Sequence, residues 1–181
     1  MTEVILKGTT ALSSVQREAV DTIKQSSDDL LKFITSILSY ARIESQGVQL
    51  HLNTKDINPL LQEIIQKHEF LAKLKRISIH AELEPLFPIP VDPELIKLVL
   101  SNLKENAIKY SPPGSTIQVK TEEKDNRVYV AVKDQGPGIT SDELPNIFVK
   151  FFRSKAAKNS PISGSGLGLY LAKYFVELHK G

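Results

Sequence analysis

Three short stretches of this chain carry residue types that could do chemistry. In "NLKENAIKY", Asn102, Asn106 and Lys109 are spaced four and three apart, so a helix would set them on one face, with Tyr110 next in line. Asparagine is a poor helix former, and two of them a turn apart weaken a helix unless they coordinate something. A carboxamide oxygen is a hard ligand for Mg2+, and a lysine one turn on can meet phosphate oxygens. A solvated polar face is the plainer alternative. In "DQGPGI", Asp134 ends an alternating apolar run, so its carboxylate could accept a hydrogen bond from an exocyclic amine such as that of adenine. Gly136 and Gly138 let the backbone turn sharply beside it, although an ordinary turn with a capping aspartate uses the same residues. In "GSGLGLYLAKYF", Gly164, Gly166 and Gly168 run straight into a helical pattern, three of only 9 glycines in 181 residues. Each costs a helix about 1 kcal/mol, so the cluster is either a loose linker or a bare backbone lying close to phosphate at a helix N-terminus. The spacing is neither the G-x-G-x-x-G of a dinucleotide loop nor a Walker A loop, which needs Gly-Lys-Ser/Thr.

A fourth stretch, "NIFVKFFRSKAAKNSPIS", sets three phenylalanines before Arg153, Lys155 and Lys158. Irregular segments longer than about 12 residues are usually lids or disordered. The basic residues suit a lid over negative phosphates with the phenylalanines anchoring its base. Core phenylalanines and solvated lysines are the other option.

Elements that could position these residues follow from the apolar spacing. From Ser14 to about Ser45 there is no Gly or Pro, and Leu30, Ile34, Ile37 and Ala41 repeat at steps of four, three and four, a seam that wants a partner helix. "VQLHLN" alternates like a short strand. Asp56 is a candidate cap for a helix with Leu60, Leu61, Ile64, Ile65 and Leu71 inward. "ISIHAEL" alternates with Ile77, Ile79, Ala81 and Leu83 on one face and His80 on the other. Asp92-Pro93 starts the next helix, with Leu98, Leu100, Leu103 and Ile108 toward a core. "TIQVKTEE" and "RVYVAVKD" form a hairpin about "KDN", an irregular segment follows from Gln135 to Ser165, and a helix closes the chain. Mixed helices and strands with a hairpin favour an α/β sandwich over a doubly wound sheet.

Bulk composition narrows the field. Hydrophobic content of 41% and charged content of 24% are those of an ordinary globular domain. A net charge of +2 gives no reason to expect nucleic acid as a partner. No apolar run approaches the roughly 20 residues that span a bilayer, and "MTEVILKGTTALSS" is no signal peptide. With no cysteine and four scattered histidines (His51, His68, His80, His179), thiolate or histidine metal sites find no support.

In this order, the four stretches resemble the N box ("NLKENAIKYSPPG"), G1 box ("DQGPGI"), F box ("IFVKFFR") and G2 box ("GSGLGL") of the catalytic, ATP-binding domain of sensor histidine kinases. That domain belongs to the GHKL superfamily shared with gyrase, heat-shock chaperone and mismatch-repair ATPases. "LLKFITSILSYARIESQGVQL" is similar to the second helix of the family's dimerisation and phosphotransfer hairpin, and "VILKG" to the last turn of its first helix. The resemblance implies an α+β fold, a two-layer α/β sandwich of the Bergerat type preceded by a long helix. It divides the chain into residues 1–47, a remnant of the hairpin, and residues 48–181, a catalytic domain truncated at its C-terminus. It implies ATP and Mg2+ as ligands, with Asn106 on the metal and Asn102, Lys109 and Tyr110 lining the phosphate and base pocket. Asp134 would bind the adenine amine, Gly136 and Gly138 would shape the pocket floor, and Arg153 would reach phosphate from the lid. Gly164, Gly166, Leu167 and Gly168 would close over the triphosphate.

The family's phosphoacceptor lies in a His-Glu/Asp-Leu-Arg-Thr-Pro type motif, which none of the four histidines matches, so no residue of this chain is expected to accept the phosphoryl group. ATPases of the superfamily that use water place a glutamate at the position of Asn102. An asparagine there implies transfer to a protein side chain, and onward relay to the aspartate of a response-regulator receiver domain. The resemblance further implies a homodimer through the hairpin, a cytoplasmic location, and a membrane reached only through segments outside this chain. Two rivals are a GHKL-type ATPase or serine-kinase switch protein, and a non-catalytic module that interacts through its helical seam.

Overall fold

The computed structural model describes residues 13–158, 162 and 164–181. Two compact units emerge, residues 1–47 with 163–165, and residues 48–162 with 166–181. The first is dominated by helix α1, Ser14–Gln46. Ser13 and Gln16 start it with a reciprocal cap: the Ser13 N–H donates to Gln16 Oε1 at 3.0 Å and the Gln16 N–H to Ser13 Oγ at 3.2 Å. Gly47, at φ +69°, ends it. Leu30 and Ile34 of the expected seam are exposed along α1, as are the neighbouring Leu31 and Leu38. The "VILKG" segment lies outside the described residues.

In the second unit, strand β1 is Asn53–Lys55 and pairs antiparallel with β3, Ile89–Val91. The strand expected over "VQLHLN" therefore starts later, and the segment "EPLFPIPVDP" holds a strand that alternation could not reveal, because Pro88 precedes it and Pro90 lies within it. A mixed sheet in the order β2-β4-β5 joins Ser78–Leu83, Thr116–Lys124 and Arg127–Lys133. The outer pairs are parallel (β2 with β4) and antiparallel (β4 with β5). Asp125 and Asn126, both at positive φ, form the two-residue turn between β4 and β5. His80 stands on the solvent face of β2, 3.4 Å from Glu82.

Helices α2 (Ile57–Leu74) and α3 (Pro93–Tyr110) cover the inner face of this sheet. Leu61, Ile64, Ala72, Leu100, Ala107 and Ile108 pack on Ile77, Ile117 and Val119, giving two layers around one core. Each helix starts as its sequence suggests, with Asp56 accepting from the Asn58 N–H and Asp92 from the Glu94 and Leu95 N–H groups ahead of Pro93. Among the described residues the remaining α-helices are a single turn, α4 (Lys155–Lys158), and α5 (Gly168–Leu178), which packs on α3; a 3-10 turn spans Leu144–Asn146. Asp92 also donates its N–H to His179 Nε2 at 2.9 Å, fastening the end of α5 to the start of α3.

Two expected core positions are exposed, Leu71 at 48% and Leu98 at 50%. The buried stripe of α2 runs instead through Leu61, Ile64, His68 and Ala72, steps of three and four that leave Leu71 to one side. On α3 the unexpected occupant is Lys104, 1% exposed. Its Nζ donates to the Ile64 and Ile65 carbonyls of α2 at 2.9 and 2.7 Å. Burial lowers its pKa from 10.5 to about 8, opposed by the nearby charge of Glu69. The folded chain thus releases this proton near pH 8, while the unfolded chain keeps it until about 10.5. Between those values the unfolded state binds more protons, so stability rises with pH. In urea titrations the wild type should gain on the order of 1–3 kcal/mol relative to Lys104→Met between pH 7.5 and 10. A constant difference between the two proteins would show that the ammonium is not buried at a cost.

Candidate functional site

Helix α3 is the floor of the site. Lys104 sits half a turn round the helix from Asn102, Asn106 and Lys109, so anchoring it in α2 leaves those three on the opposite face. The C-terminal end is tied down by Lys75, whose Nζ donates to the Ile108 and Lys109 carbonyls at 2.8 and 2.9 Å. Asn102, Asn106, Lys109 and Tyr110 are all partly exposed, within reach of a ligand.

The loop after β5 lies against the end of this floor. A Cβ on Gly136 would stand 3.1 Å from the Tyr110 carbonyl oxygen and 2.8 Å from Asp134 Oδ1, so the loop passes close to the end of α3. Asp134 Oδ1 accepts the Gly136 N–H at 2.8 Å, and the carboxylate is exposed. Asp134 therefore stands beside the last residue of α3, one turn beyond Asn106. Gly138, at φ +72°, meets nothing that a Cβ would touch and is required for its backbone conformation alone.

The start of α5 closes the other side. A Cβ on Gly168 would lie 3.1 Å from Asn102 Oδ1. No side chain caps this helix and no acid stands in its first turn, so its positive end is not offset by a side chain of its own. Leu167 is fully buried and anchors the turn, which leaves only its main chain to offer a ligand. Gly166, at φ +71°, is pressed against the F-box stretch: a Cβ there would come within 2.6 Å of the Phe151 carbonyl carbon and 2.7 Å of Phe152 O. The Phe151 N–H donates to the Gly166 carbonyl at 3.1 Å. Two reciprocal cation–π contacts reinforce this junction, Lys150 over Tyr170 at 5.2 Å and Lys173 over Phe148 at 5.6 Å.

Asn102, Asn106, Lys109, Tyr110, Asp134, Gly136, Gly166 and Gly168 thus gather on α3 and its two flanking loops. Gly164 groups with the first unit. Arg153 turns inward, its Nη2 donating to the Ala157 and Ile162 carbonyls at 2.7 and 2.6 Å, so here it braces its own loop. Among the described residues no cluster of three His, Cys, Asp or Glu could hold a metal. A cation would therefore depend on the Asn106 carboxamide together with oxygens of a ligand and water, a donor set that suits Mg2+. Lys75, Lys104 and the two aromatic–lysine pairs escaped sequence reasoning, because a lysine on a helix reads as solvated wherever its partner is main chain or ring.

Residues 91–181 match the family described as histidine kinase-, DNA gyrase B- and HSP90-like ATPase. The sensor protein KdpD of Clostridium acetobutylicum is 31% identical over 166 residues, covering 92% of this chain and 18% of that protein. The sensor-like histidine kinase SenX3 of Mycolicibacterium smegmatis is 26% identical over 181 residues, the whole of this chain and 47% of that protein. Among solved structures, full-length ShkA in complex with AMPPNP superposes with a TM-score of 0.75 at 28% identity, covering 93% of this chain and 35% of that one. The chain spans less than half the length of these curated relatives.

The glycine geometry separates two substitutions of the same kind. Gly138→Ala incurs only the left-handed backbone penalty, about 1–2 kcal/mol. Gly166→Ala adds a clash with two main-chain groups and should cost at least about 2 kcal/mol more in urea unfolding. Equal losses would mean that the Phe151 backbone does not lie on Gly166.

Proposed function

Because the chain belongs to the histidine kinase-, DNA gyrase B- and HSP90-like ATPase family, we propose that its second unit binds ATP with Mg2+ between α3, the Asp134 loop and the start of α5. Asp134 would accept a hydrogen bond from the adenine amine, with Tyr110 beside the base. Asn106 would hold the metal, and Lys109 and the α5 N–H groups would meet phosphate oxygens. Bound there, Mg2+ would neutralise charge on the phosphates. The observation that carries the proposal is the double close approach to α3, Gly136 on the Tyr110 carbonyl and Gly168 on the Asn102 carboxamide. It joins the adenine-type aspartate and the phosphate-type helix end on one floor.

We further propose transfer of the γ-phosphoryl group to a histidine of the full-length protein, outside the four in this chain, and relay to a receiver-domain aspartate. The chain's own groups would act by positioning and charge neutralisation. Asn102 supports transfer over hydrolysis, since a carboxamide cannot take a proton from water as a glutamate does. His68, 5% exposed, and His179, whose ring nitrogens meet the Phe175 carbonyl and the Asp92 N–H, are poorly placed to accept a phosphoryl group. Seam residues on α1 suit self-association in the full-length chain.

Calorimetry with ATP and Mg2+ should show binding by the isolated chain. Asp134→Ala should weaken that binding at least tenfold, roughly 1.4 kcal/mol, with melting unchanged. Asn106→Ala should abolish most of the gain conferred by Mg2+. Labelled ATP should leave no label on the chain. Nucleotide binding indifferent to both substitutions would defeat the proposed site.

A further inference from the structure

The α3 stripe that carries Asn102, Asn106 and Lys109 has a fourth member, Glu105, three residues after Asn102 and four before Lys109. Its carboxylate is held sideways. Glu105 Oε1 lies 3.2 Å from Nε2 of His68 on α2 and accepts from the Ser101 hydroxyl at 3.1 Å. His68 is 5% exposed, and its Nδ1 lies 3.0 Å from the Ile64 carbonyl. That carbonyl also accepts from Lys104, so a single polar chain runs from Lys104 through Ile64 and His68 to Glu105. Both imidazole nitrogens face oxygens, Nδ1 the Ile64 carbonyl and Nε2 the Glu105 carboxylate. The buried ring thus faces a half-exposed carboxylate one residue from the proposed metal ligand.

We infer that His68 is a positioning residue for nucleotide binding: it draws the Glu105 carboxylate off the phosphate-facing stripe, leaving the neutral Asn106 carboxamide as the protein's contribution to the metal. The inference rests on the proposed ATP site and specifies how its charge is set. Released from His68, Glu105 would stand on the same face as Asn102 and Asn106. A carboxylate there repels bare phosphates, and a divalent cation offsets the repulsion. His68 would then govern how strongly nucleotide binding depends on Mg2+, an effect that packing between α2 and α3 alone does not produce.

The test compares ADP affinity with Mg2+ and with EDTA by calorimetry, in wild type and variants. His68→Asn keeps a donor for the Ile64 carbonyl but is too short for Glu105, and should weaken metal-free ADP binding by about tenfold while changing the Mg2+-saturated affinity by less than about threefold. His68→Leu serves the same purpose if the asparagine variant does not fold. His68→Gln, which can still reach Glu105, should stay near wild type. Adding Glu105→Gln to His68→Asn should restore the wild-type ratio of the two affinities, since a carboxamide does not repel phosphate. An unchanged ratio in both short variants overturns the inference, as does a loss that Glu105→Gln fails to rescue. A wild-type chain that binds no ADP under either condition overturns the ATP site itself, a distinct outcome.

Discussion

A lysine ammonium sunk between two helices determines which way the site helix faces. Lys104 occupies a position where an apolar side chain would pack without difficulty, yet it reaches two carbonyls of α2 that already serve that helix. Desolvating the charge is unfavourable, as its lowered pKa records. In return the contact is directional, which apolar packing is not: α3 cannot roll without losing both bonds. Everything the site requires is set out from that fixed helix, the carboxamides on its open face, Tyr110 at its end and α5 along its flank. A helix held only by leucines would tolerate small rotations that displace the side chains on its open face by an ångström.

Around this helix the main chain does most of the assembling. Gly136, Gly166 and Gly168 mark close approaches, and at Gly166 the neighbouring main chain leaves no room for a methyl group. The F-box stretch is locked to the start of α5 by such an approach and by two lysines exchanged across it. Arg153, by contrast, spends its guanidinium on carbonyls of its own loop. The basic character of that segment is therefore partly structural, and its lysines carry the charge available to an anion.

Much of this was legible in the residues. Asp92-Pro93 announced a helix start, Asp125-Asn126 a tight hairpin, and the alternation of β4 and β5 a half-buried sheet, because each signal is local and has a local cause. The glycines announced close approach without saying to what, since the partner lies far along the chain: Tyr110 for Gly136, Phe151 for Gly166, Asn102 for Gly168. Strand β3 stayed hidden because prolines mask its alternation, and its pairing with β1 is long-range. Leu71 and Leu98 looked like core and are not, because a helix buries only one stripe and neighbouring leucines compete for it. Lys104, His68 and Glu105 could not be read at all. Nothing in a charged side chain's identity reveals that its acceptor is a carbonyl on another helix.

The bond from the Asp92 N–H to His179 joins residues 87 positions apart. Ribosomes deliver α3 well before α5, so the floor emerges without the helix that packs on it. Closing so wide a loop carries an entropic charge that local helix formation cannot repay until the sheet is in place. Docking of α5 therefore belongs among the late steps of folding, when that clasp shuts.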